Sequence, residues 1–193
     1  MRKDISVVGM SDASVYSELL QAKFDYTNTF FHEQPFLDIT KPDPGFQHEF
    51  DVVISSDVLE HVAPPVEMAF QGLHSLLRES GLLVLTVPFG LQDENIEHFA
   101  DLYDYEIVGT GAKRRLMNVT RHGEKQVFSQ LCFHGGDGAT LEMRIFSQAG
   151  LIRLLEASGF HDIRMHSGSL PEWGIVNFTV MSVQITAIAG KSN

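Results

Sequence analysis

The stretch from Phe50 to Gly90 constrains the fold more than any other part of this chain of 193 residues. Asp51–Ser56 (DVVISS) is a near-continuous apolar run, which is typical of a central parallel strand covered on both faces. Apolar residues at the helical period follow over Pro65–Glu79, and a second buried strand is predicted over Leu82–Val87. This order predicts two parallel strands joined by a right-handed crossover through the helix.

The same alternation extends over most of the chain. Short apolar or β-branched runs predict further strands at Ile5–Val8, Tyr26–Phe31, Phe36–Ile39, Phe160–Met165 and Phe178–Ile188. Two more helices are predicted, one capped by Ser11, Asp12 or Ser14 and one capped by Ser147. Alternating strands and helices indicate an α/β fold with helices on both faces of a mostly parallel sheet. We expect a single domain over 1–193, with an insertion at about 90–145 where charges and glycines interrupt the pattern.

Charge and composition exclude several classes of protein. The formal net charge of −11 makes a nucleic acid a poor partner, because phosphates would be repelled. Cys132 is the only cysteine, so the chain has no internal disulfide, and we expect its side chain to be a small buried hydrophobe. The N-terminus is not typical of a signal peptide, and no apolar run reaches the roughly 20 residues of a membrane span. We therefore expect a cytoplasmic protein that does not contact a membrane.

The predicted sheet also indicates where a ligand would bind. In open α/β sheets, ligands lie beyond the carboxyl ends of the strands. The segments that follow the predicted strands are Gly9–Asp12, Thr27–Thr29, Asp38–Thr40, Ser55–His61 and Pro88–Gly90.

Two stretches carry a resemblance to a known family. FDVVISSDVLEHV, with the segment that continues to Gly90, resembles the fourth strand, helix and fifth strand of class I S-adenosylmethionine (SAM)-dependent methyltransferases. Arg144–Phe160 (RIFSQAGLIRLLEASGF) resembles the late helix and sixth strand of that family. The resemblance implies a Rossmann-like doubly wound sheet, mostly parallel with an antiparallel last strand, an insertion after the fifth strand, and SAM as cofactor.

The resemblance also implies which residues contact the cofactor. They follow four strands: Gly9, Met10, Ser11 and Asp12 at the methionine part, Asn28 at the ribose, Asp38 and Ile39 at the adenine, and Ser55, Ser56 and Asp57 at the centre. Simpler interpretations remain open, in which Asp12 caps a helix, Asp38 is a solvated carboxylate and Asp57 caps a turn. The chain departs from the family in its first loop, which has one glycine instead of GxGxG, and in Asn28, which stands where a carboxylate is usual.

Two histidines are candidate catalytic residues. His98 follows the fifth predicted strand, and His61 ends the D-x-x-E-H cluster of Asp57, Glu60 and His61. A neutral imidazole at either place would accept a proton from an attacking hydroxyl or amine. The cluster resembles the E-x-x-E-H metal site of some methyltransferases, but capping of the next helix explains it as well, and we expect no metal. His134 is a weaker candidate than either.

Together these observations favour a SAM-dependent methyltransferase acting on a small molecule or a saccharide. The sulfonium already activates the methyl group, so alignment of the acceptor contributes most to the rate. The alternative from another class is a non-catalytic methyltransferase-like module that binds a partner or a ligand, which the reduced first loop favours. Another nucleotide-using enzyme of this fold is less favoured, because the chain has no G-x-G-x-x-G. A homodimer is left open.

Overall fold

The computed structural model describes residues 1–134, 140–169, 171–173, 176 and 183–191. The helices in these segments are α1 (Ser14–Lys23), α2 (Glu67–Leu76) and α3 (Gln148–Ala157). The strands are β1 (Arg2–Met10), β2 (Phe24–Thr29), β3 (Phe50–Ser56), β4 (Leu77–Thr86), β5 (Phe89–Gly90), β6 (Ile96–Glu97), β7 (Asp104–Val108), β8 (Arg115–Val119), β9 (Lys125–Phe128), β10 (Phe133–His134), β11 (Thr140–Leu141), β12 (Arg144–Ser147), β13 (Phe160–His166) and β14 (Gln184–Ala189).

A six-stranded sheet in the order β13-β14-β4-β3-β1-β2 forms the centre of the fold. The strands β2, β1, β3 and β4 run parallel, whereas β14 is antiparallel to both of its neighbours. The run DVVISS therefore lies in a central strand, as predicted, and Val53 and Ser55 in it are fully buried. The antiparallel last strand is also confirmed. Part of the predicted strand Phe178–Ile188 lies outside the described residues.

Helix α2 packs on the sheet through the apolar stripe that the sequence predicts. Phe70 and Leu73 are fully buried in one core with Val53 and Leu85. The helix also approaches the chain after β2 very closely, since a Cβ at Gly72 would lie 1.7 Å from the carbonyl oxygen of Ile39. Glycine at this position therefore sets the distance between α2 and one wall of the site.

Two predictions of secondary structure are wrong, because strand pairing overrides the local sequence pattern. The predicted helix Pro65–Glu79 ends at Leu76, since Leu77 is buried and pairs with Phe50 as the first residue of β4. The strand predicted at Phe36–Ile39 does not form. Its place is taken by an isolated parallel bridge between Phe30 and Phe36.

Helix α1 begins without the predicted cap. Ala13 holds the N-cap position and its side chain makes no capping bond, while the carboxylate of Asp12 is used elsewhere. None of the residues of α1 is buried, and Val15 is 78% exposed. By contrast, Ser147 caps α3 as predicted, through a bond from the backbone N–H of Gly150 to its hydroxyl.

The insertion forms short strands of its own, as its mixed pattern indicates. Strands β7, β8 and β9 make one antiparallel sheet, and β5 and β6 flank β12 in a small mixed sheet. A small second core of Phe99, Leu116, Leu141 and Met143 lies beneath them. Cys132 is exposed, so the prediction of a buried cysteine is wrong. Among the described residues, no helix combines the length and the apolar character needed to cross a membrane.

Candidate active site

A cavity of about 620 Å³ opens at the carboxyl ends of β1, β2 and β3. Strand β1 pairs with β2 on one side and with β3 on the other, and the chain crosses over β1 between β2 and β3. This is the point where the strand order reverses and where such sheets bind ligands. Of the predicted site residues, Met10, Ser11, Asp38, Ile39, Asp57 and His61 line the cavity. The insertion adds Tyr105 and Thr140 to its wall.

Two lining residues turn the chain sharply at neighbouring strand ends. Ser11 follows β1 with a φ of 57°, and Asp57 follows β3 with a φ of 52°. Each donates its backbone N–H to the end of the adjacent strand, Ser11 to Thr29 at 2.7 Å and Asp57 to Thr86 at 2.9 Å. Positive φ values are uncommon in residues other than glycine and concentrate at functional sites.

The carboxylate of Asp38 is held in a fixed orientation by hydrogen bonds to only one of its two oxygens. Its Oδ1 accepts hydrogen bonds from the backbone N–H and the hydroxyl of Thr40, at 2.8 and 2.7 Å. Its Oδ2 accepts none from the described residues. A half-buried carboxylate with one oriented acceptor at a cavity wall is suited to an amine donor on a ligand.

Asp12 lies behind the cavity wall in what we call the closed network, made of Asp12, Tyr16, Tyr26 and Asn28. Its buried carboxylate accepts bonds from the hydroxyls of Tyr26 at 2.7 Å and Tyr16 at 2.8 Å. Burial and the neighbouring carboxylate raise the pKa of Tyr16 to about 12, so its hydroxyl keeps its proton. Asn28 exchanges two bonds with the backbone of Asp12, both 2.9 Å long. All these polar groups are therefore satisfied by one another.

Gly9 lies against the closed network and does not line the cavity. A Cβ at this position would lie 1.9 Å from Oδ2 of Asp12 and 2.6 Å from the hydroxyl of Tyr26. The physical requirement for glycine here is room for the Asp12 carboxylate. Ser55 and Ser56 also lie off the cavity wall: Ser55 is fully buried, and the hydroxyl of Ser56 bonds that of Thr86 at 2.8 Å.

Glu60 differs from Asp12, because its buried carboxylate has no hydrogen-bond partner among the described residues. It is fully buried in a short 3-10 turn after β3, and neither of its carboxylate oxygens accepts a hydrogen bond from the described residues. Burial raises its pKa to about 7, and the charges of Asp57 and Glu142 act in the same direction. Nε2 of His61 lies 3.7 Å from Oε1. Nδ1 of His61 donates to the carbonyl of Leu141 at 2.9 Å, so Nε2 carries the lone pair while the ring is neutral.

The insertion brings a second carboxylate to this place. One oxygen of Glu142 lies 2.8 Å from Nε2 of His98, and the other lies 2.9 Å from Nε2 of His134. The rings of His61 and His134 meet edge to face, with centroids 5.0 Å apart. We call Glu60, His61, His134, Glu142 and His98 the open cluster. His98 reaches the cavity only through this cluster and does not line it.

Arg144 lies beside the open cluster and is itself fully buried. Its Nε bonds Glu97 and one terminal nitrogen bonds the carbonyl of Leu59, each at 2.7 Å. The other terminal nitrogen makes no hydrogen bond within the described segments. The guanidinium opposes the upward shift in the pKa of Glu60, but the two side chains form no hydrogen bond with each other in the described segments.

Sequence comparison assigns the chain to a family. Residues 4–164 match the profile of a family described as a methyltransferase domain. The chain belongs to this family. No curated protein matches the methyltransferase domain by sequence.

Solved structures share the fold at low sequence identity. The 1,6-didemethyltoxoflavin-N1-methyltransferase of Burkholderia thailandensis, bound to S-adenosylhomocysteine, is 14% identical with a TM-score of 0.54, over 97% of this chain and 72% of that one. The glycopeptide N-methyltransferase MtfA, in complex with SAM, is 11% identical with a TM-score of 0.56, over 95% and 86%. A SAM-dependent methyltransferase of Methanosarcina mazei is 11% identical with a TM-score of 0.58, over 100% and 95%. The methyltransferase domain therefore has the Rossmann-like sheet that these proteins share.

Sequence reasoning missed part of the site of this methyltransferase domain. Glu142 and Arg144 had no signal of their own, because they act through contacts with residues of other segments, such as His98 for Glu142 and Leu59 for Arg144. Tyr105 and Thr140 line the cavity from an insertion whose path cannot be followed from its pattern. The sequence predicts His134 only as a weaker catalytic candidate than His98 or His61.

Proposed function

We propose that this methyltransferase domain transfers the methyl group of SAM to a small molecule or a saccharide. The observation that carries the proposal is the cavity at the switch point of a methyltransferase-family sheet. Its volume lies within the range of about 300 to 1,000 Å³ of small-molecule sites. The structural neighbours named above include enzymes of a small heterocycle and of a glycopeptide, which supports an acceptor of that kind.

In this proposal, Asp38 accepts the adenine amine through its unoccupied Oδ2, and Ile39 packs on the ring. Ser11 and Met10 lie along the methionine part. Asp57 replaces Asp12 as the partner of the cofactor's ammonium group, since Asp57 lines the cavity and the carboxylate of Asp12 is already bonded to two tyrosines. The ribose carboxylate common in the family has no counterpart here.

When bound, SAM supplies a methyl group that its sulfonium has already activated. The residues of the chain then have to hold the acceptor in line and exclude water. Of the two candidate catalytic histidines, His61 lies on the cavity wall, and burial lowers its pKa, so its Nε2 is available as a proton acceptor in the metal-free protein. His98 is proposed as a positioning residue, since it contacts Glu142 and not the cavity.

The test is calorimetric titration of the protein with S-adenosylhomocysteine. We expect Asp38→Asn to weaken binding by about tenfold, since it keeps the Oδ1 bonds to Thr40 but removes a charge-assisted acceptor. Asp43→Asn is the matched control, because Asp43 makes the same kind of turn bond, to the N–H of Gly45, on an exposed loop. Absence of binding by the wild-type protein at about 1 mM ligand would overturn the proposal.

A further inference from the structure

The open cluster gathers metal-ligating atoms at one point of the cavity wall. The side-chain ligand atoms of Glu60, His61 and His134 all lie within 4.8 Å of one another. Donor atoms bound to one ion at about 2.0 to 2.2 Å lie roughly 3 to 4 Å apart, so only small side-chain movements separate the cluster from a coordination shell. Nε2 of His61 and Oε1 of Glu60, 3.7 Å apart, already meet this condition.

The lack of hydrogen bonds to the buried carboxylate of Glu60 indicates that a binding partner is missing. A fully buried carboxylate is costly unless it is paired or bound to a metal, yet both of its oxygens lack a hydrogen bond from the described residues. Arg144 does not resolve this, because it is turned to Glu97 and to the carbonyl of Leu59. The negative charges of Asp57 and Glu142 also act on Glu60, which favours a cation at this place.

The surroundings of the two histidines resemble the support that metal ligands usually have. Metal-bound histidines commonly donate their other ring nitrogen to a carbonyl or a carboxylate. His61 donates Nδ1 to the carbonyl of Leu141, and His134 is bonded to Glu142, which His98 holds from its other side. Glu142 has both oxygens engaged, whereas those of Glu60 are free, so Glu60 is the ligand and Glu142 the support.

We propose that Glu60, His61 and His134 bind a divalent first-row transition-metal ion at the wall of the cavity. Two imidazoles and one carboxylate suit Zn²⁺, Mn²⁺ or Fe²⁺, whereas Mg²⁺ and Ca²⁺ prefer ligand sets made of oxygen. Three protein ligands leave at least one coordination position open. Since His61 lines the cavity, the open coordination position is accessible to an oxygen atom of the methyl acceptor. This statement about the acceptor rests on the proposed function.

The ion changes the role of His61. A proton and a metal compete for Nε2, so the metal-bound histidine is a ligand and does not act as a base. A hydroxyl bound to the ion loses its proton more easily, as metal-bound water does. The site therefore selects acceptors that carry a hydroxyl, a carboxylate or another oxygen ligand near the atom to be methylated.

The experiment starts from protein treated with a chelator and dialysed. Zn²⁺, Mn²⁺ and Mg²⁺ are titrated in separate calorimetric runs, and Co²⁺ is added to record its visible absorption, which reports nitrogen ligation independently of activity. We expect one equivalent of Zn²⁺ or Mn²⁺ to bind more tightly than Mg²⁺. Glu60→Gln and His134→Gln should weaken binding by at least about 100-fold, and Glu142→Gln by about 10- to 100-fold, as is usual for supporting residues.

His122→Gln is the matched control, since it removes another histidine from the exposed turn between β8 and β9. Absence of a stoichiometric site in the wild-type protein would overturn the proposal, and so would equal binding by the control, Glu60→Gln and His134→Gln. Binding of S-adenosylhomocysteine is measured on the same metal-free samples. If it is normal while no metal binds, the metal site alone fails; if metal binds and S-adenosylhomocysteine does not, the proposed function alone fails.

Discussion

The closed network and the open cluster lie at adjacent strand ends, and each surrounds a buried carboxylate, that of Asp12 or that of Glu60, but the two carboxylates differ in their hydrogen bonding. In the closed network, Asp12 receives two tyrosine hydroxyls and Asn28 bonds the backbone of Asp12 in both directions. In the open cluster, Glu60 accepts no hydrogen bond and Arg144 keeps one nitrogen without a partner in the described residues. Buried polar groups that satisfy one another stabilise a fold, whereas groups left unsatisfied mark a place where something else binds.

The comparison is tested most severely by Gly9→Val. The added side chain would overlap the carboxylate of Asp12 and the hydroxyl of Tyr26, and we expect a loss of about 3 kcal/mol or more in the free energy of unfolding. Urea denaturation followed by circular dichroism measures this loss. Gly168→Val is the control, because a Cβ at Gly168 meets no atom of the described residues within 4 Å. If Gly9→Val folds with unchanged stability and only ligand binding is lost, Gly9 faces the cofactor and the closed network is not structural.

A smaller loss is expected for Asp12→Asn. The amide keeps the shape of the side chain but removes the charge that strengthens the two bonds from Tyr16 and Tyr26, which corresponds to about 2 kcal/mol of unfolding free energy. Thermal unfolding of the variant beside Asp25→Asn, on an exposed position of β2, separates this effect from a general change in charge. A variant as stable as the wild type would show that the closed network contributes nothing to stability.

The smallest effect, and one of opposite sign, is expected for Glu60→Gln in the metal-free protein. Burial raises the pKa of Glu60 to about 7 in the folded state, above its usual value of 4.5, so ionisation weakens folding as the pH rises through this window. We therefore expect the amide variant to be equally stable or up to about 2 kcal/mol more stable than the wild type above pH 7. The difference should disappear below pH 4.5. Unfolding curves in chelator at several pH values measure it, and a destabilised variant at high pH would mean that Glu60 has a structural partner.

The sequence was sufficient where a local signal agreed with the tertiary packing. The apolar run DVVISS fixed the central strand, and Ser147 fixed the start of α3, because burial on both faces and a side-chain cap depend on neighbouring residues. The same local signals failed at Leu77, where pairing with Phe50 ends the helix early, and at Phe36–Ile39, where the sheet gains only one bridge.

Within the site, the sequence by itself determined that the segments after β1, β2 and β3 meet the cavity, since strand ends in a parallel sheet lie on one edge. The predicted segment Pro88–Gly90 does not line it. Only the tertiary structure decided which polar residues of those loops face a ligand. Asp12 is turned away because Tyr16 and Tyr26 satisfy it, whereas Asp38 and Asp57 line the cavity. The open cluster could not be predicted from the sequence, because Glu60 lies far from His134 and Glu142 in the chain. Their chemistry depends on distances that the fold alone sets.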